Sequence, residues 1–225
     1  MHDQLLLATG MFRSGTTLVA RMLQAHGEIV LASDPLARVF KTFRNVSARA
    51  VMDKYKTSQE SPLADYHFDK EGVETLSAVQ NSSLEATTDT VDLPSLRQSV
   101  AAASALFSPR IKPFLHMLEG RNFHELFSSG HAILDRAYGK ANSRVLGFKE
   151  VWVGEFAKHY LQGFHNAKVI HILRDPRGVC ASNHVTNEKY PLLFLIRQWR
   201  KLTLFAWRDK LLFPDRVHVL RYEDL

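Results

Sequence analysis

Leu5-Leu6-Leu7-Ala8-Thr9-Gly10-Met11-Phe12-Arg13-Ser14-Gly15-Thr16-Thr17 reads as a buried strand, a glycine-bounded turn and a helix start leading into Leu18-Val19-Ala20-Arg21-Met22-Leu23. The spacing Gly10-x4-Gly15 is that of a phosphate-binding loop, whose backbone N–H groups and helix N-terminus point at an anion. Thr16 stands where a nucleotide-hydrolysing P-loop carries lysine, and the positive charge sits three residues earlier, on Arg13. Such a loop is a poor site for a triphosphate with magnesium. It is a good site for a smaller anion held by amides, hydroxyls and one guanidinium. A strand–turn–helix without any ligand is the alternative that this stretch, taken alone, leaves open.

Outward from this loop, the first strand covers 4–9 and four further β-rich runs each stand beside a helical pattern. Run 28–32 follows the helix 16–25 and the break at His26-Gly27; the others are 144–148, 167–173 and 216–220. Short apolar strands alternating with helices predict an α/β protein with a parallel β-sheet flanked by helices on both faces. Ligands of such sheets bind beyond the carboxyl ends of the strands. The residues to read are therefore 10–17, 33–35, 149–152, 174–177 and 221–224, with the strand 28–32 expected directly beside the first. Between the second and third strands lie about 110 residues without strand signals, a helical insertion at about 36–143. Within it 41–56 and 113–138 have helical periodicity, and the Ser-, Thr- and Ala-rich 73–108 reads as loop or weak helix. Such an insertion serves either as a substrate lid or as structural padding.

Composition narrows the class. The 225 residues suit one domain; 45% are hydrophobic and 23% charged, as in an ordinary globular protein. No apolar run approaches the roughly 18 residues of a membrane span, and a first strand this near the N-terminus makes the lack of a signal peptide the expectation. Cys180 is the only cysteine, so no internal disulfide can form and a reducing, cytoplasmic setting is expected. The net charge of +6 suits an anionic ligand. Charge alone would admit nucleic acid equally, but the loop chemistry favours a small anion, and no nucleic-acid partner is expected.

A second anchor is the run Lys168-Val169-Ile170-His171-Ile172-Leu173-Arg174-Asp175-Pro176-Arg177-Gly178-Val179-Cys180-Ala181-Ser182-Asn183, again a strand, a turn and a helix start. Pro176 suits a first helical turn and Asp175 its N-cap. Arg174 at the strand end and Ser182 on the following helix can converge, and an arginine with a hydroxyl suits a phosphate monoester. A helix cap with surface arginines is the other reading.

The two motifs, in this order and each after a predicted strand, resemble those of sulfotransferases that use 3′-phosphoadenosine 5′-phosphosulfate (PAPS). Arg13-Ser14-Gly15-Thr16-Thr17 resembles the family's 5′-phosphosulfate loop, and Arg174-Asp175-Pro176-Arg177-Gly178-Val179-Cys180-Ala181-Ser182 its 3′-phosphate motif. The ending Val217-His218-Val219-Leu220-Arg221-Tyr222-Glu223-Asp224-Leu225 also looks like the family's Arg-Tyr-Glu-Asp-Leu strand end. The resemblance covers roughly 4–31 and 144–225. It implies a P-loop nucleoside-triphosphate-hydrolase-like sulfotransferase fold over a single domain, 1–225. Family members continue past this strand end, which makes a truncated C-terminus the expectation.

The implied reaction moves a sulfuryl group from PAPS to an acceptor hydroxyl by in-line displacement, without a metal. As in phosphoryl transfer, the protein positions the reactants and stabilises spreading negative charge. Arg13 fits charge neutralisation, and the amides and hydroxyls of Ser14, Gly15, Thr16 and Thr17 fit the 5′-phosphate cradle. The resemblance implies that Arg174 and Ser182 hold the 3′-phosphate. It also implies a carbohydrate or similar acceptor, because arginine in the loop is typical of carbohydrate and protein-tyrosine enzymes. Asp34, at the end of strand 28–32, is the candidate general base; relatives carry an acidic residue before proline here, usually glutamate. Its structural alternative is to cap a helix starting at Pro35. Lys149 resembles the lysine that contacts the sulfuryl group or the leaving oxygen, or else it pairs at the surface with Glu150 or Asp175. His171 reads as a core or sheet-face residue and Trp199 and Trp207 as core packing. Arg197, Arg200, Lys201, Arg208 and Lys210 read as a solvated basic face. Two other classes compete: a P-loop kinase, which lacks its lysine at Thr16, and a non-catalytic, degenerate anion-binding relative.

Overall fold

A computed structural model describes residues 2–51, 70–183 and 190–225. Its five strands are β1 (Gln4–Gly10), β2 (Ile29–Ser33), β3 (Val145–Val151), β4 (Ala167–Leu173) and β5 (Val217–Arg221). They form one parallel sheet in the order β2-β3-β1-β4-β5. All five predicted strands are present, each within a residue or three of its expected ends. Their neighbours differ from expectation: β2 pairs with β3, not with β1. The seven-residue β3, with Leu146, Phe148 and Glu150 fully buried, takes a central place, and the five-residue β2 takes the edge. Register aligns Ala8 with Lys149 and Ser33 with Lys149, so the tips of β1, β2 and β3 end at one level.

Helices cover both faces. On one face lies α1 (Thr16–Ala25), which packs Val19 and Ala20 onto Leu6, Ala8, Leu31 and Ile172. The opposite face carries the main core, built from α2 (Ala37–Arg49), α3 (Lys70–Asn81), α4 (Leu93–Ser104), α5 (Phe123–Tyr138) and α6 (Ala157–Gly163). Phe40 of α2 sits 4.7 Å from the ring of Phe127 and 6.1 Å from that of Phe148, knitting insertion to sheet. Two further helices follow β4: α7 (Pro176–Asn183) and α8 (Leu192–Leu212).

The insertion is more helical than its composition suggested. Residues 73–108 contribute most of α3 and all of α4, because Asp92 caps α4 through the Ser95 N–H at 3.2 Å and an apolar stripe reaches the core. The predicted helix 113–138 splits into a 3₁₀ segment, Pro109–Met117, and α5, whose N-cap Asn122 accepts the Glu125 N–H at 2.8 Å. The helix predicted over 41–56 starts earlier, at Ala37, and ends at Arg49; the predicted stretch from residue 52 onward lies outside the described residues.

Candidate active site

At the carboxyl ends of β1, β2, β3 and β4 lies a cavity of about 1140 Å³. Among the described residues only three besides glycine have a left-handed backbone: Arg13 (φ 65°), Asp34 (φ 51°) and Trp152 (φ 69°). All three line this cavity. Strained backbone gathers where side chains must be presented against local preference.

The β1 loop behaves as its glycines dictate. Gly15 has φ 87°, and a Cβ there would collide with the ring of Tyr222, which lies against the loop. Gly15 is also the N-cap of α1 and brings no side-chain cap, so the first amides of α1 remain available to a ligand. Gly15, Thr16 and Thr17 line the cavity with Arg13. Ser14 differs from its expected part. Its N–H is committed to Met11 O at 3.1 Å, which closes the turn, and its fully buried hydroxyl has no protein partner.

The β4 loop meets this one across the sheet. Arg13 Nε donates to Ser182 Oγ at 2.8 Å, and Arg174 donates through a terminal guanidinium nitrogen to Arg13 O at 3.0 Å. The two motifs, 161 positions apart, therefore share one cradle, in which Arg13 stands between Arg174 and Ser182. Arg174 is held in turn: its carbonyl accepts the Trp199 indole N–H at 2.7 Å and its guanidinium lies 4.3 Å over the Tyr222 ring. Asp175 caps α7, accepting the Arg177 N–H at 2.8 Å, while its own N–H donates to Glu223 at 2.7 Å. The Arg177 guanidinium beside it lowers the Asp175 carboxyl to about 2.

Opposite this cradle, Asp34 and Lys149 form an ion pair. Lys149 lies inside β3, two residues before its end, and is buried; it pairs with neither Glu150 nor Asp175. Its ammonium also sits 5.6 Å from the centre of the Phe107 ring. Asp34 does not cap the following helix, which starts at Ala37 with Leu36 as its N-cap. The φ of 51° turns its side chain to Lys149 instead, while its N–H donates to Lys149 O at 2.7 Å. One carboxylate oxygen of Asp34 takes the lysine and the other has no protein partner. The missing helix cap comes from Glu150, whose carboxyl accepts the Leu36 N–H. Burial, reinforced by the neighbouring Asp34, pushes the Glu150 carboxyl well above the usual carboxylate range.

Arg13, Asp34, Lys149, Gly15, Thr16, Thr17, Arg174 and Ser182 thus border one cavity. Glu150, Trp152, Tyr222 and the α2 residues Arg38 and Lys41 also line it, and sequence reasoning gave them no role. For Glu150, Trp152 and Tyr222 the signal was their place in the strand-end stretches 149–152 and 221–224; Arg38 and Lys41 had none. His171 is a buried core residue, as its strand position predicts, 3.2 Å from Asp209. Other side chains went elsewhere than expected. Lys201 and Arg208 are not on a solvated face: Lys201 is buried against Glu155 at 3.1 Å, and Arg208 pairs with the buried Asp209. Trp207 is not core packing but 54% exposed. Among the described residues no group of three or more His, Cys, Asp or Glu is placed to hold a metal ion. No helix among them is long and apolar enough to cross a membrane.

The sequence pattern of the sulfotransferase family matches residues 6–225. Among solved structures, the sulfotransferase domain of the Synechococcus PCC 7002 olefin synthase is similar in fold, with a TM-score of 0.53 at 18% identity. The alignment covers 98% of this chain and 66% of that one, so the chain spans just under two thirds of its length. TT1252 from Thermus thermophilus aligns at a TM-score of 0.42 and 15% identity, over 98% of this chain and 89% of that one. No curated protein sequence matches significantly.

Proposed function

The chain belongs to the sulfotransferase family, and we propose that it transfers a sulfuryl group from PAPS to a hydroxyl group of a carbohydrate acceptor. The observation that carries this reading is the shared cradle: Arg13 bonded to Ser182 and Arg174 bonded to the Arg13 carbonyl, facing Asp34 and Lys149 across one cavity. The residues fit a bisphosphorylated nucleotide. Two guanidinium groups, the open amides of a helix N-terminus and the hydroxyls of Thr16, Thr17 and Ser182 offer sites for two separate phosphates. The volume exceeds the roughly 300–1,000 Å³ common for a single ligand, leaving room for an acceptor. Phe107, Trp152 and Tyr190 add flat apolar walls suited to a sugar ring.

PAPS, when bound, supplies the sulfuryl group on a phosphate whose bridging oxygen leaves with the electron pair. Arg13 neutralises charge on that phosphate, and Lys149, buried at the cavity wall, stabilises negative charge growing on the leaving oxygen. Asp34, which lines the cavity beside Lys149, takes the proton of the acceptor hydroxyl as the new oxygen–sulfur bond forms. Thr16 in place of the P-loop lysine argues against a kinase.

The test has two parts. PAP (adenosine 3′,5′-bisphosphate) should raise the thermal stability of the chain more than ADP does, because Arg174 and Ser182 hold the 3′-phosphate, and Arg174→Ala should abolish the difference. Incubation with PAPS and a panel of mono- and disaccharides should give products heavier by one sulfuryl group in mass spectrometry. Equal stabilisation by PAP and ADP would remove the 3′-phosphate assignment. Sulfation of phenols or peptides in place of saccharides would replace the acceptor class.

A further inference from the structure

The turn that delivers Asp34 has no local reason to hold its shape. Asp34 is left-handed, Pro35 has no N–H, and Leu36, the N-cap of α2, is among the poorest residues for that position because it offers no acceptor. The acceptor comes from another strand. Glu150 is fully buried beneath the turn, lines the cavity, and one of its oxygens takes the Leu36 N–H. Its second oxygen is buried and without a hydrogen-bond partner, as is one oxygen of Asp34. The charged groups bordering this part of the cavity are Asp34 and Lys149, Arg38 and Lys41 from α2, and Arg13 from the β1 loop.

We infer that Glu150 is the positioning residue of the site: its carboxyl pins the Leu36 amide, and through it residues 33–36, so that Asp34 meets Lys149 at the cavity wall. Two carboxyl groups beside one ammonium do not share the charge equally. Glu150, wholly buried and facing the Asp34 charge, holds its proton above the usual range and leaves Asp34 to pair with Lys149. A neutral carboxyl accepts an amide N–H much as a glutamine side chain does. Glutamine at 150 should therefore restore the function that alanine removes, and aspartate, one methylene shorter, should not.

Only the kinetic arm of the test rests on the sulfuryl-transfer reading. Hydrogen exchange at the Leu36 amide, followed by NMR, should be equally slow in the wild type and Glu150→Gln, and at least tenfold faster in Glu150→Ala and Glu150→Asp. PAP stabilisation should be the same in all four, since its cradle stands on β1 and β4. Single-turnover transfer from PAPS to a saccharide sulfated by the wild type should slow about tenfold or more in the Ala and Asp variants. Gln should recover it, with the Michaelis constant for PAPS unchanged throughout. If alanine does not fold, the Gln and Asp pair decides. Unchanged Leu36 exchange in Glu150→Asp overturns the inference. So does a Gln variant as slow as the Asp variant while its Leu36 amide stays protected, since the carboxyl itself would then be reacting. If the wild type neither transfers nor responds to PAP, the sulfotransferase reading fails while the exchange result still decides the role of Glu150.

Discussion

The proposed role of Asp34 and its observed one make demands that pull against each other. A base would have to offer a carboxylate to the cavity, while the partner of Lys149 must compensate a buried ammonium. Asp34→Asn therefore is not a silent substitution structurally. It should abolish acceptor sulfation and also cost about 2 kcal/mol of stability, because a buried charge loses its partner. Urea unfolding of Asp34→Asn and of Asp34→Asn/Lys149→Met checks this: the double variant should regain much of the stability and none of the activity. Full activity in Asp34→Asn would send the search for the base elsewhere. Arg13 poses a different question, since its side chain touches Ser182 and its carbonyl holds Arg174. Arg13→Ala should lower single-turnover transfer by about two orders of magnitude or more. PAP binding should weaken less, as loop amides and Arg174 remain. A variant with wild-type turnover and only a raised Michaelis constant would make Arg13 a uniform binding residue.

Among the elements, helix starts divide into two kinds. The N-termini of α4 and α5 are closed by residues of their own, Asp92 and Asn122, and α5 adds Glu125 bonded back to the Arg121 N–H at 2.8 Å. Neither Asp92 nor Asn122 lines the cavity. Asn122→Ala should therefore cost about 1 kcal/mol of stability while PAP binding stays unchanged, as thermal unfolding with and without PAP would show. The N-termini of α1 and α2 lack side-chain caps of their own and both open on the cavity: one is left open, the other is closed by Glu150. Caps of the first kind are written in neighbouring residues and can be read locally. The cap of α2 depends on a residue more than a hundred positions away, which is why Asp34 reads in sequence as a cap that it does not form.

At the scale of the whole molecule, two buried histidines contribute to the response to acid. His131 shares a 2.9 Å hydrogen bond with the Tyr160 hydroxyl, and complete burial lowers it to about 3; His159, also buried, is lowered to about 4. In the unfolded chain both take up protons near their ordinary value of about 6.5. Stability is therefore unaffected by them above that pH and is lost as pH falls from about 6.5 toward 3 for His131 and toward 4 for His159, at up to about 1.4 kcal/mol per unit for each. His131→Gln, which can keep a bond to Tyr160, should show a shallower loss of stability over that range than the wild type. Parallel acid profiles would remove His131 from the account. The sequence by itself determined the five strands, the glycine-bounded turn at Arg13–Thr17 and the strand–turn–helix from Arg174 to Ser182, because each rests on local periodicity and turn chemistry. Only the tertiary structure decided that β3 separates β2 from β1, that Arg13 stands between Arg174 and Ser182, and that Asp34, Lys149 and Glu150 come together at one turn. It also decided that Lys201 faces Glu155 and not solvent. Strand order and charge pairing arise from which surfaces become buried together, and no window of neighbouring residues carries that information.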